Sequence, residues 1–468
     1  MMREALQVPR SEPRHDRADA IALATRHVLL PAYMRLTRSS TLRHHRRLLA
    51  SQFLPEERIR AEQWRSLQAM LRFVYDENRF YRRRMDEFGV TPDDVRSFED
   101  YARLPPLTKD DLRGSAQELL SHGFDVTRLE RKRTGGSTGV PVHLHQDREA
   151  VDTKAALRMR HDEWASFFTA SKKAALWGDV KPPDTLRRWL TSHLYVRTVY
   201  LDTLEMDERR MLEFAERVRR TKTRLLFGHG HSIYFFARFV KDHGIGDLEF
   251  DGIISTAEML PPEERRVVEE VFGDVVFDRY GCEEVGIIAS ECAEHDGMHV
   301  AAEGIYLEIL DGTERQPGRV LVTDLLNRAT PLLRYDIGDL ATTKAGACRC
   351  GRGLPRIGGV TGRTSDVLYS ADGKQISGIS LLDTVTIHIP GFRQVQIVQE
   401  ALDELTFLIV KDANYTPASL TLLANAVTKY FGPRMRHSVV FVDRVPLTGR
   451  GKFQFSICKL KPGDVQMR

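Results

Sequence analysis

Between Lys173 and Phe277, short apolar runs alternate with charged stretches of helical length. Few architectures other than a sheet of buried parallel strands accommodate that rhythm. The runs are Lys173–Trp177, Arg224–Phe227, Gly252–Ile254 and Asp274–Phe277, and the stretches between and beside them lie at 205–220, 232–243 and 261–271. Each run is too short for a helix and lacks the polar alternation of a half-exposed strand, so βαβ units follow. An α/β core is expected over roughly 100–290.

The pattern changes on both sides of this core. From Leu48 to Phe88, Leu67, Met70, Leu71, Val74 and Tyr75 recur at helical spacing among many charges, the mark of surface helices with one buried face. Leu104-Pro105-Pro106-Leu107 ends a helix and Thr108 caps the next. Beyond Glu303, Ile305–Leu310, the turn Asp311-Gly312 and Arg319–Thr323 predict a β subdomain. Strands near Gln394–Gln399, Leu405–Val410 and Ser438–Val442, with a helix at 417–431, predict a small α+β domain. The expected fold class is therefore α/β: a large N-terminal domain with parallel-type α/β sheets plus a β subdomain, and a small mobile α+β C-terminal domain. The expected boundaries are a loose basic extension at 1–45, a large domain at 46–363 and the small domain at 364–468.

The net charge of +4 conceals an asymmetry, since residues 1–60 carry 12 arginines against 6 acidic residues. A basic segment can meet nucleic acid or a membrane surface, but no nucleic-acid reader motif accompanies it, and no nucleic-acid partner is expected. No apolar run approaches the ~20 residues that cross a bilayer. Met1 to Arg26 lacks the apolar middle of a signal peptide, so a cytoplasmic location is expected. The five cysteines are an odd number in a long chain, which argues against a disulfide framework.

Arg133-Thr134-Gly135-Gly136-Ser137-Thr138-Gly139 places two adjacent glycines and a third around two hydroxyls, a composition that lets backbone N–H groups converge on phosphate. It is no Walker loop, because Val140 stands where that motif requires lysine. By itself it reads equally as a flexible turn. Downstream follow Asp278-Arg279-Tyr280-Gly281-Cys282-Glu283-Glu284, Arg334-Tyr335-Asp336-Ile337-Gly338-Asp339, Thr361-Gly362-Arg363-Thr364-Ser365-Asp366 and Pro446-Leu447-Thr448-Gly449-Arg450-Gly451-Lys452.

In this order and at these separations the five segments resemble the core motifs of the adenylate-forming superfamily, which includes acyl-CoA synthetases, peptide-synthetase adenylation domains and luciferases. Asn78-Arg79-Phe80-Tyr81-Arg82, Leu104 to Leu112, Pro141-Val142 after the phosphate loop, and Glu291-Cys292 resemble the phenylacetate-CoA ligase branch in particular. The resemblance spans about 50–455. It implies ATP-dependent activation of a carboxylic acid as its acyl-adenylate, with coenzyme A as the acceptor. An amine or carrier-protein thiol as acceptor, a different oxyanion as substrate, and a retired nucleotide-binding protein are the alternatives. The oligomeric state stays open.

By the same resemblance, Thr134, Gly135, Gly136, Ser137, Thr138 and Gly139 would hold the ATP phosphates. Ala257 and Glu258 would line the adenine pocket, and Tyr280 with Gly281 would stack on the base. Glu284 would help to hold Mg²⁺, Asp339 would accept from the ribose hydroxyls, and Arg363 would reach ribose or phosphate. Lys452 would bridge the attacking carboxylate and the α-phosphate. Two positions depart from the family pattern. Glu283 stands where Thr or Ser is usual, a repulsive neighbour for phosphate unless Mg²⁺ or a cation such as Arg279 screens it, and Ser365 stands at the hinge.

Cys292, His295, Cys348 and Cys350 offer three thiolates and an imidazole, a set suited to structural zinc, with His299 as an alternative nitrogen ligand. The acid pocket is expected near Trp177-Gly178 and Phe227 to Ser232, where Tyr234, Phe235 and Phe236 read as core more than as ligand-facing.

Overall fold

The computed structural model describes residues 19–115, 117–133, 143–177, 184–203, 206–363, 367–373, 375–377, 389–446 and 454–460. A two-stranded ribbon, β1 (Glu130–Arg133) and β2 (His143–Gln146), precedes the main sheet. Parallel strands β3 (Lys173–Leu176), β4 (Thr198–Leu201), β5 (Leu225–His229), β6 (Gly252–Thr256) and β7 (Val276–Cys282) then form one half of it. The helices Glu208–Thr221, Gly230–Asp242 and Pro262–Phe272 connect these strands. Their apolar faces meet Leu226, Ile253 and Val276 in a common core, as the sequence rhythm predicts.

The second half is antiparallel: β8 (Gly286–Glu291), β9 (Met298–Val300), β10 (Ile305–Leu310), β11 (Gly318–Asp324), β12 (Tyr335–Lys344) and β13 (Arg356–Arg363). The expected β subdomain is continuous with the α/β core. A single sheet of 11 strands runs in the order β10-β11-β12-β13-β9-β8-β7-β6-β5-β3-β4. The change of direction comes at β7, whose chain turns straight back into β8 instead of crossing through a helix.

The N-terminal helices close over the antiparallel half. Leu67, Met70, Leu71 and Val74, all on the helix Glu56–Glu77, are buried with Tyr280, Val320 and Tyr335. The Asn78 to Tyr81 segment has a structural function here. Asn78 accepts from Tyr81 N at 3.2 Å and donates to Leu119 O at 2.9 Å, while Tyr81 OH donates to Pro331 O at 3.1 Å. The prolines at 105 and 106 deliver Leu107, whose N–H donates to Arg334 O and whose carbonyl accepts from Asp336 N. Thr108 caps the next helix as expected, and with Asp111 it forms a capping box. Both motifs hold the start of β12.

Residues 1–45 read as a loose extension, but from Ala20 the chain is helical. Ala20–Ala24 continues through a π-turn at Thr25–Leu29 into Leu30–Leu36. Pro31, which lacks an N–H, sits at the start of the last piece and accounts for the interrupted ladder. Asp19 pairs with Arg197 at 2.8 Å, and Arg26 Nε donates to Thr169 O at 3.2 Å, fastening this helix to the body.

The C-terminal residues form their own core. Strands β14 (Val367–Tyr369) and β15 (Gln375–Ser377) make a hairpin. Then β16 (Phe392–Ala401), β17 (Glu404–Lys411), β18 (Arg436–Phe441) and β19 (Ser456–Cys458) make a sheet ordered β18-β17-β16-β19. Leu423, Val427 and Phe431 of the helix Pro417–Phe431 pack on Val395, Ile397, Phe407 and Ile409.

Arg160 is the most buried charge in the large sheet's helical cover. Its guanidinium, wholly excluded from solvent, meets Glu303 at 2.5 and 2.9 Å, and Ser51 Oγ donates to the same carboxylate at 2.7 Å. Removing one partner of such a pair leaves an uncompensated buried charge. Glu303→Ala is expected to lower unfolding free energy by about 3–5 kcal/mol, read as an earlier urea midpoint at unchanged slope.

Candidate active site and metal centre

The open edge of a parallel sheet is most accessible at the carboxyl ends of its strands. Here those ends carry Trp177 after β3, His229 at the end of β5, Ala257 and Glu258 after β6, and Tyr280 to Cys282 at the end of β7. Ala257 adopts φ +67°, a left-handed conformation that turns the chain sharply off the strand. Gly281 sits at a β-bulge, and a Cβ there would lie 2.6 Å from Gly286 O, so the tight β7–β8 return requires glycine.

Three of the expected nucleotide-site residues converge below that rim. Tyr280 OH donates to Asp339 Oδ2 at 2.8 Å, both side chains being buried. Tyr335 OH donates to Glu284 Oε1 at 3.2 Å. Burial and the neighbouring Glu284 carboxylate push the Tyr335 phenol far above its ordinary value, so it stays a neutral donor. Burial, Glu284 and Asp339 do the same to the Cys282 thiol. Asp339 is paired in register with Arg363 across β12 and β13, so the two backbones are neighbours.

The ribbon β1–β2 brings the stem of the glycine-rich loop to this cluster. Its register runs from Glu130↔Gln146 to Arg133↔His143, and Gln146 Nε2 donates to Glu284 O at 3.2 Å. Asn327 Nδ2 donates to His145 O at 2.9 Å and fixes the ribbon from the other side. Thr134, Gly135, Gly136, Ser137, Thr138 and Gly139, the hinge at Ser365 and Asp366, the Arg363 side chain, Gly178 and Lys452 lie outside the described residues.

Arg279 does not screen Glu283. Its guanidinium is engaged with Asp162 at 2.7 Å, whereas Glu283 is exposed and solvated. Trp177 stacks on Phe227 at 5.2 Å and lies 4.3 Å from the His229 ring, forming an aromatic wall on the parallel rim. Phe236 is core, while Tyr234 and Phe235 are half-buried around His231. His231 Nδ1 lies 2.8 Å from the buried Glu264; despite burial, that carboxylate raises the imidazole's pKa. No local pattern signals this pair, because its members lie 33 positions apart.

The metal quartet differs from the first expectation. Cys292, Cys348 and Cys350 are gathered with His299, and their ligand atoms all lie within 4.8 Å of one another. His295 faces away. It adopts φ +48° in the turn after Cys292, and its Nδ1 lies 3.0 Å from Arg265 Nη2 and 3.2 Å from Glu291 Oε2. The alternative ligand His299 is on β9, where strand geometry aims the ring at the loop containing Cys348 and Cys350. Cys292 Sγ and Cys348 Sγ are 3.7 Å apart, against the ~3.8 Å edge that tetrahedral Zn–S bonds of about 2.3 Å imply. Cys350 Sγ lies 3.3 Å from His299 Nε2, and His299 Nδ1 lies 3.3 Å from Leu354 O. A proton on Nδ1, donated to that carbonyl, would leave Nε2 free to ligate.

The fold is that of the adenylate-forming ligases. A crystal structure of 2-hydroxyisobutyryl-CoA ligase in its postadenylation state matches with a TM-score of 0.66 at 19% identity, over 87% of this chain and 91% of that one. Among curated proteins, phenylacetate-coenzyme A ligase of Thermus thermophilus is 28% identical over 67% of this chain and 72% of its own length. The corresponding ligase of Pseudomonas putida is 27% identical over 70% and 74%. Protein CapK of Staphylococcus aureus is 22% identical over 77% and 80%, and residues 368–459 match the CapK C-terminal domain family. The chain is thus similar to phenylacetate-coenzyme A ligases and to Protein CapK in sequence, and to an adenylate-forming ligase in fold.

The two histidines make a sharp test of the metal quartet. Metal analysis of the purified protein is expected to give close to one zinc per chain. His299→Ala and Cys348→Ser should lose most of it, while His295→Ala should retain it.

Proposed function

We propose that the protein activates a carboxylic acid with MgATP and passes the acyl group to a nucleophile, coenzyme A in the first reading. The supporting observation is the convergence of Tyr280, Asp339 and Glu284 beside the stem of the glycine-rich loop. These residues come from distant parts of the chain, and each has the chemistry its expected role needs. Asp339 is a buried carboxylate on a rigid strand, suited to accept from two adjacent ribose hydroxyls. Tyr280 offers an aromatic face while its hydroxyl is held. Glu284 is a hard oxygen donor of the kind Mg²⁺ takes, and its orientation is set by Tyr335. Bound there, the cation would neutralise phosphate charge.

In the first step a carboxylate oxygen attacks the α-phosphorus, and the bond to the bridging oxygen breaks, giving acyl-AMP and pyrophosphate. Lys452 would stabilise the charge that builds between the attacking oxygen and the α-phosphate. In the second step the acceptor displaces AMP from the acyl carbon. Trp177, Phe227 and His229 would form one wall of the acid pocket. Zinc at Cys292, His299, Cys348 and Cys350 would be structural, because four protein ligands leave no open position for substrate.

A second reading keeps the adenylation and changes the acceptor to an amine or a carrier-protein thiol. It is supported by the match of residues 368–459 to the CapK C-terminal domain, a family not named for coenzyme A ligation.

ATP–pyrophosphate exchange across aryl, aryl-acetic, fatty and amino acids tests the first step independently of the acceptor; exchange with none of them would contradict the proposal. With an active acid in hand, Lys452→Ala is expected to lose about 10²–10³-fold in exchange while still turning over supplied acyl-AMP. Asp339→Ala should weaken nucleotide use by about 10–100-fold, the worth of a hydrogen bond to a charged group, measured as kcat/KM for ATP.

A further inference from the structure

The helical segment Ala20–Leu36 does not have the polarity of an ordinary surface helix. Its inner face buries Ala22, Thr25 and Leu30. Its outer face is apolar as well, with Val28 62% and Leu36 84% exposed and Ile21, Leu29 and Tyr33 near half. An exposed helix face with five large apolar residues beside His27 and Arg35 suits a boundary between an apolar phase and water. Beside it lies the helical stretch Leu186–Val196, which contacts the Ala20–Ala24 turn and is linked to it through Asp19 and Arg197. This stretch also faces outward, with Leu186 73% and Trp189 48% exposed and Leu190, Leu194 and Tyr195 open to solvent. The two elements meet at the Ala20–Ala24 turn, and each adds exposed apolar side chains from sequence positions about 160 residues apart.

Its surroundings are cationic. Residues 20–55 contain six arginines and no acidic residue. Behind the same helix a cleft of about 960 Å³ is lined by Met34, Phe53 and Phe168, with seven arginines, Arg26, Arg35 and Arg38 among them, against Glu149, Asp152 and Glu163. None of these residues belongs to the proposed nucleotide site or to the metal quartet. No described helix is long and apolar enough to cross a membrane.

We propose that this face seats the protein on an anionic lipid surface. Aliphatic side chains would enter the acyl boundary, Trp189, Tyr33 and Tyr195 would occupy the headgroup level that amphipathic aromatics favour, and the arginines would meet lipid phosphates. Charge decides between this and the competing occupants. A second copy related by a two-fold axis would bring the same arginine-rich patch against itself, with no acidic residues in the segment to answer it. A nucleic acid would use the arginines but gain nothing from exposed Val28, Leu36 and Leu186.

Sedimentation of the full-length protein with vesicles tests the proposal. With phosphatidylcholine vesicles containing about a third phosphatidylglycerol, at about 0.1 M salt, the bound fraction is expected to exceed that on pure phosphatidylcholine by at least about tenfold. The variant Val28→Glu/Leu36→Glu/Trp189→Glu should abolish binding, and Arg35→Gln/Arg38→Gln should weaken it several-fold. Both should keep wild-type thermal unfolding and ATP–pyrophosphate exchange, because the altered side chains are outside the core and the nucleotide site. Should the triple variant unfold, Leu36→Glu/Leu186→Glu, at the two most exposed positions, reads the same effect. Protein remaining in the supernatant with anionic vesicles would overturn the proposal. So would vesicle binding unchanged by the glutamates, or a wild-type dimer in light scattering that the glutamates dissociate.

Discussion

The contact between Tyr280 and Asp339 sets the shape of the large domain. Four steps separate β7 from β12 in the strand order, and neighbouring strands lie about 4.8 Å apart, so a flat sheet would hold the two residues roughly 19 Å from each other. Their side chains are hydrogen-bonded at 2.8 Å. The sheet must therefore curl until the end of its parallel half meets the start of its antiparallel half. The concavity so formed contains Glu284, Tyr335 and the ribbon that carries the glycine-rich loop.

That curl explains why the N-terminal helical layer carries motif residues with no chemical role. Asn78, Tyr81 and Leu107 all anchor the backbone leading into β12. Arg334 adopts φ +49° there, and its guanidinium is held by Glu308 and Ala102 O. A left-handed arginine is strained, and the surrounding bonds maintain it. The strain turns the chain into β12 so that Tyr335 reaches Glu284 and, four residues later, Asp339 reaches Tyr280. Residues that resemblance marks as characteristic of a branch thus act on the site through backbone placement.

Local pattern carried the parallel half of the fold well. The runs at Arg224–Phe227 and Gly252–Ile254 are strands because nothing but a buried strand suits so short an apolar run between charged helices. The union of the β subdomain with that core was not legible, since pairing β9 with β13 depends on contacts across more than 50 residues, which no periodicity encodes. The residues proposed for the nucleotide site are legible only through resemblance; Tyr280 and Asp339 have no local feature that announces a partnership. His295 satisfied the spacing rule for a metal ligand and His299 the geometry. Spacing fixes distance along the chain, whereas the positive φ at His295 decides where its ring points. The helix at Ala20–Leu36 was hidden by composition, because arginines among exposed apolar residues resemble a loose basic tail.

The metal quartet sits where the curled sheet is weakest. β9 contributes three residues and pairs with β13 only at Met298↔Ile357 and His299↔Arg356, a narrow junction between two broad halves. Cys292 closes β8, His299 belongs to β9, and Cys348 and Cys350 lead into β13, so one ion held by all four would bind the three strands that make the junction. Arg356 and Lys344 already brace it through Asp296, whose carboxyl these cations hold down at about 2. One apolar core already crosses this junction, joining Ile288 of β8, Met298 of β9 and Ile357 of β13, so a cross-link would reinforce what already joins the two parts of the sheet. Its mechanical effect would be to fix the angle between them, and that angle is what places Tyr280 on Asp339.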